Sequence, residues 1–202
     1  CEGVAPAAQK VEIGATVTIP ANTTLYKEDF TLTAWTDGTA EYAAGQQVTV
    51  SEDITLTPVF TENAAAFADR TAETTITWQF GEGNGAGTLN AQGKSTILVA
   101  QATIGESVID VKMDIDATNG KINNVGRGDK WAQCNDGTVL TIPAYKGTAV
   151  SFDSYSDGTG TTIGGVEATD KAATYEGTAE TLDIVAKGIG YIASVTAVYP
   201  VP

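Results

Sequence analysis

Residues 138–155 read TVLTIPAYKGTAVSFDSY, in which two strand-like runs flank a short turn that contains Gly147. Runs of apolar and β-branched residues bounded by glycine-containing turns are typical of antiparallel strands. The same pattern recurs on both sides of this stretch, in TTITWQF (74–80), STILVAQATI (95–104), SVIDVKMDI (107–115), TLDIVA (181–186) and YIASVTAVYP (191–200). Several short strands at this spacing predict a mainly all-β chain with an antiparallel β-sandwich of the jelly-roll type.

The segment from residue 10 to 62 also carries strand patterns. Its strand-like runs are VEIGATVTIP (11–20), TLTAW (31–35), Val48–Val50 and Ile54–Phe60. Residues 63–73 are rich in alanine and polar side chains and lack strand alternation, which is typical of a linker. The sequence therefore predicts a small domain at 10–62, a linker at 63–73 and the sandwich at 74–202.

The charge and composition of the chain argue against several classes of function. Its 202 residues carry 25 acidic and 11 basic side chains, which gives a net charge of −14, and they include no histidine. A surface this acidic repels nucleic-acid phosphates and anionic lipids. Without histidine the chain lacks the commonest general base near neutral pH. No apolar stretch approaches the roughly 20 residues that cross a bilayer. We expect a protein that is not an enzyme, binds no nucleic acid and has no membrane span.

The two cysteines do not make a disulfide framework. Cys1 has two interpretations: the lipid-anchored first residue of a mature bacterial lipoprotein, or simply the point where a fragment begins. Cys134 is predicted to be a small buried apolar residue.

The tripeptide Arg127-Gly128-Asp129 matches an adhesion motif, but Gly-Asp is ordinary turn chemistry, and we interpret the tripeptide as a turn.

The stretch WAQCN is the strongest candidate for a binding surface. Because side chains alternate across a strand, Trp131, Gln133 and Asn135 would share one face, and Ala132 and Cys134 the other. Alanine and cysteine are the natural buried pair, so the face with the tryptophan is predicted to point outward. The alternative is that Trp131 is a core residue.

A second tryptophan has the opposite pattern. Ile76, Trp78 and Phe80 share one face of the run at 74–80. An apolar triplet of this kind is typical of a core strand, so Trp78 is not included in the predicted site.

Polar and basic side chains around the outward face predict a carbohydrate-binding site. Sugar rings bind through their C–H faces to aromatic side chains, and planar polar groups on loops bind the hydroxyls. The predicted binding residues are Trp131, Gln133, Asn135, Lys130, Arg127 and Tyr155. Four of the 11 basic residues fall within the window 112–130, which would suit an acidic sugar such as a uronate if these side chains converge.

A metal site has only weak candidates. Asp153 and Asp157 lie on one predicted loop and could hold a structural Ca²⁺ through their carboxylates. The simpler interpretation is that both are exposed acids of a turn. No cofactor is expected otherwise.

The first segment resembles a known family. The series TVTIPANTTLYKEDFTLTAWTDG, followed by YAAGQQVTVSEDITLTPVF, is similar to a Listeria–Bacteroides repeat. The matching positions are Ile19, Pro20, Phe30, Trp35, Tyr42 and Gly45. The resemblance implies a small β-grasp-like spacer or adhesion module of a bacterial surface protein, with the tryptophan and the phenylalanine in its core.

The second segment resembles another group of modules. The stretches TWQF (77–80), DKWAQCNDGTVLTIPAYKGTAVSFDSY (129–155) and TYEGTAETLDIVAKGIGYIASVTAVYP (174–200) are similar to a β-sandwich appended to secreted Bacteroidetes pectate lyases, xylanases and esterases. The resemblance implies a non-catalytic carbohydrate-binding module of a gut bacterium that targets plant cell-wall glycan, of the pectin or xylan type.

Together the residues and the resemblances predict an extracellular or cell-surface protein, with Cys1 as a possible lipid anchor. Its expected partners are a polysaccharide or oligosaccharide and a catalytic domain of the same polypeptide, and we expect a monomer. The alternative is a structural spacer or adhesion module that binds no glycan.

Overall fold

The computed structural model describes most of the chain, namely residues 1–3, 5–20, 24–28, 30–62, 67–84 and 86–202. Residues 63–66 of the predicted linker therefore lie outside the described residues. The described part is almost entirely β-structure in antiparallel sheets, with short 3-10 turns at Phe67–Asp69 and Glu82–Asn84. The all-β fold class predicted from the sequence is confirmed. Within these ranges no helix is long and apolar enough to cross a membrane.

The N-terminal strands form two small sheets. Their bounds are β1 Thr16–Thr18, β2 Phe30–Thr36, β3 Glu41–Tyr42, β4 Gln47–Thr49 and β5 Thr57–Glu62. Strand β1 pairs with β4, and the other sheet has the order β3-β2-β5. Ile19, Leu25 and Trp35 form a small buried cluster between these strands. The prediction that Trp35 is a core residue is confirmed, because only 5% of it is exposed. Phe30, predicted to share this core, is half-buried and lies outside the cluster.

The run predicted as a strand at 11–20 is a strand only in its second half. The backbone turns at Gly14, whose φ is 89°, and strand β1 begins after it. Val11 and Ile13 are therefore exposed, at 45% and 79%, rather than buried. Apolar alternation alone did not reveal this turn, because glycine can interrupt a strand without changing the pattern around it.

The remaining strands form a β-sandwich. Their bounds are β6 Thr74–Gln79, β7 Asn90–Gln92, β8 Ser95–Ile104, β9 Ser107–Asp116, β10 Lys121–Asn123, β11 Ala132–Cys134, β12 Val139–Pro143, β13 Ala149–Ser154, β14 Thr162–Ile163, β15 Val166–Glu167, β16 Ala172–Thr174, β17 Thr181–Val185 and β18 Gly190–Tyr199. The β18 sheet has the order β16-β13-β18-β11-β10-β7, with β6 also paired to β18, and the β9 sheet has the order β15-β14-β17-β12-β9-β8. The chain crosses from one sheet to the other between β11 and β12 and again between β12 and β13.

The core lies between the two sheets and follows the alternation of the sequence. Ile76 and Trp78 in β6 and Phe80 just after it are at most 1% exposed, which confirms that Trp78 is a core residue. Its indole nitrogen donates to the carbonyl oxygen of Val111 in the opposite sheet at 3.0 Å. This bond satisfies the only polar atom of the side chain, so burial of the whole ring stabilises the sandwich without leaving a donor unpaired.

A β-bulge interrupts strand β18 and reverses which side chains face outward. Asp153 lies opposite Ser194, whereas Ser154 lies opposite Ile192, so Ala193 is the extra residue. Ile192 and Ala193 are consecutive and both buried, which an uninterrupted strand does not allow. As a consequence Tyr191, before the bulge, lies on the outer face of the sheet.

The N-terminal strands contact the β9 sheet. The hydroxyl of Thr31 donates to the carbonyl oxygen of Val108 at 3.0 Å, and the amide of Leu32 donates to the carboxylate of Asp110 at 3.5 Å. These bonds join β2 to β9. The division of the chain into separate domains at residues 63–73 stays a prediction.

Candidate functional site

The candidate site is built on strand β11 at the outer face of the β18 sheet. Ala132 and Cys134 are fully buried, while Gln133 between them is half-buried on the outer side, as the alternation predicts. Trp131, immediately before the strand, is half-buried, and Asn135, immediately after it, is exposed. Trp131 is thus not a core residue like Trp78.

Three aromatic rings lie next to one another on this face. The ring centroids of Trp131 and Tyr155 are 6.2 Å apart at an interplanar angle of 86°, and those of Tyr155 and Tyr191 are 6.3 Å apart at 82°. Edge-to-face pairs at this spacing stabilise one another. Tyr155 is 77% exposed, and Tyr191 is half-buried. We call these three side chains the aromatic row.

Backbone pairing holds the aromatic row in place. The amide of Tyr155, just after β13, donates to the carbonyl oxygen of Tyr191 in β18 at 2.9 Å. On the other side of β18, Gln133 of β11 lies directly opposite Tyr191. Because the supporting backbone belongs to hydrogen-bonded strands, the rings are carried by a rigid scaffold.

A basic side chain lies over each end of the aromatic row. The ammonium of Lys130 is 4.7 Å from the ring centroid of Trp131, and the guanidinium carbon of Arg127 is 5.9 Å from that of Tyr191. Both distances are in the range of cation–π attraction. Two of the four basic residues in the window 112–130, Arg127 and Lys130, therefore lie at this face. Lys112 lies on β9 in the other sheet, where it pairs with Glu2 and Asp114.

The two basic groups have different partners. Lys130 forms an ion pair with Asp153, with 2.9 Å between nitrogen and oxygen, and both side chains are about half exposed. Arg127 donates from its terminal nitrogen to the side-chain oxygen of Gln133 at 3.1 Å. The sequence does not distinguish the two cations, but among the residues that the structure describes only Lys130 is paired with a carboxylate.

A buried asparagine anchors the loop that carries both basic residues. Asn124 is fully buried, its side-chain oxygen accepts from the amide of Leu89 at 2.8 Å, and its nitrogen donates to the carbonyl oxygen of Gly87 at 2.7 Å. Gly126 and Gly128 have φ of 65° and 81°, so the backbone on both sides of Arg127 is left-handed. This geometry agrees with the interpretation of Arg127-Gly128-Asp129 as turn chemistry.

Five of the six predicted residues belong to one cluster, comprising Arg127, Lys130, Trp131, Gln133 and Tyr155. Tyr191 joins the pair Arg127 and Gln133 to the other three. Asn135 lies on the same strand face, and among the described residues no hydrogen bond or ring contact joins its side chain to the cluster. Sequence reasoning missed Tyr191, which contacts two of the five. The sequence shows only that Tyr191 begins a predicted strand. If the alternation of the buried residues Ala193, Val195 and Ala197 continued without interruption to the start of that strand, Tyr191 would point into the core.

The two candidate metal residues lie in different surroundings. The carboxylate of Asp153 is engaged by Lys130, and Asp157 is exposed. Among the described residues no group of three or more acidic, cysteine or histidine side chains is close enough to hold a metal ion. Ca²⁺ takes six to eight oxygen ligands, and the assignment of Asp153 and Asp157 to a structural Ca²⁺ stays a prediction.

Cys134 lies directly beneath the candidate site but cannot act on a ligand there. The side chain is fully buried, and burial raises the pKa of its thiol to about 12. The thiolate is the reactive form, so the group is inert at neutral pH. The side chains on the face itself offer stacking, hydrogen bonding and charge attraction.

In comparisons with known proteins, no family model matches the chain, and neither a curated protein nor a solved structure matches it.

Proposed function

We propose that the chain is a non-catalytic carbohydrate-binding module of a secreted bacterial polysaccharide-degrading enzyme, and that it binds plant cell-wall glycan of the pectin or xylan type. The observation that carries this proposal is the aromatic row formed by Trp131, Tyr155 and Tyr191, which is flanked by polar and basic side chains on the outer face of one sheet. The resemblance of the second segment, described above, supports the same function.

The physical chemistry of the face suits a sugar chain. Aromatic surface packs against the C–H groups of a pyranose, and the tyrosine hydroxyls offer donors and acceptors at the rim. Gln133 and Arg127 lie beside the rings and supply planar hydrogen-bonding groups for hydroxyls. Tight-binding contacts in proteins concentrate in tryptophan, tyrosine and arginine, which are the residue types present here.

Such a module would act by concentration rather than by chemistry. Binding to an insoluble polysaccharide would hold a catalytic domain of the same polypeptide close to its substrate, which raises the effective concentration of that substrate. The module needs no metal or cofactor for this role, and one copy of the chain is sufficient.

Replacement of Trp131 tests the proposal. We expect Trp131→Ala to weaken binding to a retained polysaccharide by about thirtyfold or more, because removal of a major aromatic contact typically costs about 2 kcal/mol or more. Trp131→Phe, which keeps an aromatic ring, should lose much less. The measurement is affinity electrophoresis in gels that contain pectin, xylan or β-glucan, followed by calorimetry with the polymer that retards the protein.

Val166→Ala provides the matched control, since Val166 is 59% exposed on the β9 sheet, away from the aromatic row. It should be retarded like the unmodified protein. If no polysaccharide of the panel retards the protein, the carbohydrate-binding proposal is wrong and the spacer or adhesion alternative is favoured.

A further inference from the structure

The two cations of the candidate site are not equally available to a ligand. Lys130 is held in an ion pair with Asp153 at 2.9 Å. Arg127 is exposed, and in the part of the chain that the structure describes no carboxylate lies within ion-pair distance of it. For an anionic ligand at this face, the charge of Lys130 is already balanced by Asp153, whereas the charge of Arg127 is available.

Arg127 is also oriented for recognition of a carboxylate. Its guanidinium carbon lies 5.9 Å from the ring centroid of Tyr191, and one terminal nitrogen donates to Gln133 at 3.1 Å. A guanidinium carries five N–H donors in a planar fork, so donors remain for a ligand after this bond. The fork matches the two oxygens of a carboxylate, which makes such pairs both strong and directional.

The charge of the whole chain limits how many carboxylates a bound glycan can carry. The net charge of −14 repels a polyanion at long range. The aromatic row, in contrast, offers apolar surface that suits neutral sugar rings. A single available cation beside such a surface fits one acidic sugar among neutral neighbours better than a continuous run of acidic sugars.

We propose, as a deepening of the carbohydrate-binding function above and resting on it, that the ligand is a glycan of mainly neutral sugars carrying isolated uronic acids. Arg127 binds the uronate carboxylate, Gln133 positions the guanidinium, and the neutral sugars lie on Trp131 and Tyr155. Lys130 has no direct part in recognition of the carboxylate, because Asp153 holds its ammonium.

Three probes separate this proposal from its alternatives. The first is glucuronoxylan, which carries isolated uronates on a neutral backbone, and the second is the same polymer after chemical reduction of its carboxyl groups to neutral sugars. The third is polygalacturonate, which is charged at every residue. Calorimetry at low ionic strength should give about tenfold tighter binding for native than for reduced glucuronoxylan, the size expected for hydrogen bonds to a charged group. Polygalacturonate should bind more weakly than native glucuronoxylan.

Substitutions assign the preference to one residue. Arg127→Gln should remove the difference between native and reduced polymer, and Arg127→Lys, which keeps the charge but loses the fork, should retain only part of it. Lys130→Gln tests the competing assignment of the carboxylate to Lys130. It should keep the difference between native and reduced polymer within about twofold, since Lys130 is already paired with Asp153.

The outcomes distinguish this inference from the function it rests on. Equal binding of native and reduced glucuronoxylan would overturn the uronate inference and leave carbohydrate binding intact. Tighter binding of polygalacturonate would contradict the requirement for isolated charges, and loss of the preference in Lys130→Gln would contradict the assignment to Arg127. Failure to bind any polymer, including neutral ones, would contradict both proposals.

Discussion

At the scale of single residues, Arg70 is the most unusual side chain of the sandwich. It is only 3% exposed, and its guanidinium carbon lies 5.1, 4.1 and 5.7 Å from the ring centroids of Phe67, Tyr145 and Tyr199. It donates to the carbonyl oxygens of Pro200 at 2.8 Å and Phe67 at 3.2 Å. The end of the predicted linker is therefore bound to the last strand of the sandwich.

Removal of this side chain should destabilise the fold. We expect Arg70→Ala to lower the free energy of unfolding by about 2–4 kcal/mol, because it removes buried hydrogen bonds and cation–π contacts and opens a cavity. Arg70→Lys should have an intermediate effect, and Lys94→Ala, an exposed substitution, should have almost none. Urea titration monitored by circular dichroism measures all three. An unchanged urea midpoint for Arg70→Ala would show that the buried cation makes no net contribution to the free energy of unfolding.

At the scale of elements, the loop before β11 depends on glycines that follow β6. Gly81 has a φ of 96°, and a Cβ added to it would overlap the carbonyl oxygen of Asp129 and lie 2.6 Å from the carbonyl carbon of Lys130. A Cβ added to Gly83 would overlap the side chain of Asp129 in the same way. These glycines let the loop that carries Arg127 pack directly on the backbone of the sandwich.

Gly81→Ala should therefore affect both stability and binding. We expect a loss of about 3 kcal/mol or more, since the new methyl group meets backbone rather than a mobile side chain. Displacement of the loop should also weaken glycan binding. Gly93→Ala is the matched control: Gly93 has a φ of 67° but no atom within 4 Å of the added Cβ, so it should cost only about 1 kcal/mol and leave binding unchanged. Equal losses for the two variants would mean that the close contact is unimportant.

At the scale of the whole molecule, Asp110 lies where the N-terminal strands meet the sandwich. Its carboxylate accepts from the amide of Leu32 in β2 at 3.5 Å and from the side chain of Gln101 at 3.1 Å. Burial raises the pKa of Asp110 above its ordinary value of 3.8, despite the opposing effect of these two bonds. The folded state therefore binds this proton more tightly than the unfolded chain does.

This shift predicts a pH-dependent contribution at the contact. The cost of the buried charge is absent below the unfolded pKa and appears as the pH rises through the raised folded value. Asp110→Asn keeps an oxygen acceptor without the charge, so we expect it to raise the urea midpoint at pH 7 and to have little effect at pH 3. Glu106→Gln, a substitution in the neighbouring β8–β9 turn, is the control. Because Glu106 is exposed, its charge has no burial cost, and the urea midpoint should change at neither pH. A lower midpoint of Asp110→Asn at pH 7 would mean that the bonds to the charged carboxylate outweigh its burial.

Some features of the molecule could be predicted from the sequence because they depend on local periodicity. The long strands at 95–104 and 107–116 coincide with apolar runs, and the burial of Trp78 follows from its neighbours two residues away. The outward face of β11 was predictable for the same reason, since small apolar residues alternate there with polar ones. Strands of two or three residues, such as β14 and β15, are too short to show any period.

The amino-acid sequence by itself determined the all-β class, the core triplet around Trp78 and the outward direction of Trp131, because each depends on whether a side chain is apolar and on which side of a strand it falls. Tertiary structure alone decided the composition of the candidate site. A single extra residue, Ala193, turns Tyr191 outward, and the pairing of Lys130 with Asp153 leaves Arg127 as the available cation. Neither fact has a local signal, because a bulge is defined by the partner strand and an ion pair by residues that the fold brings together.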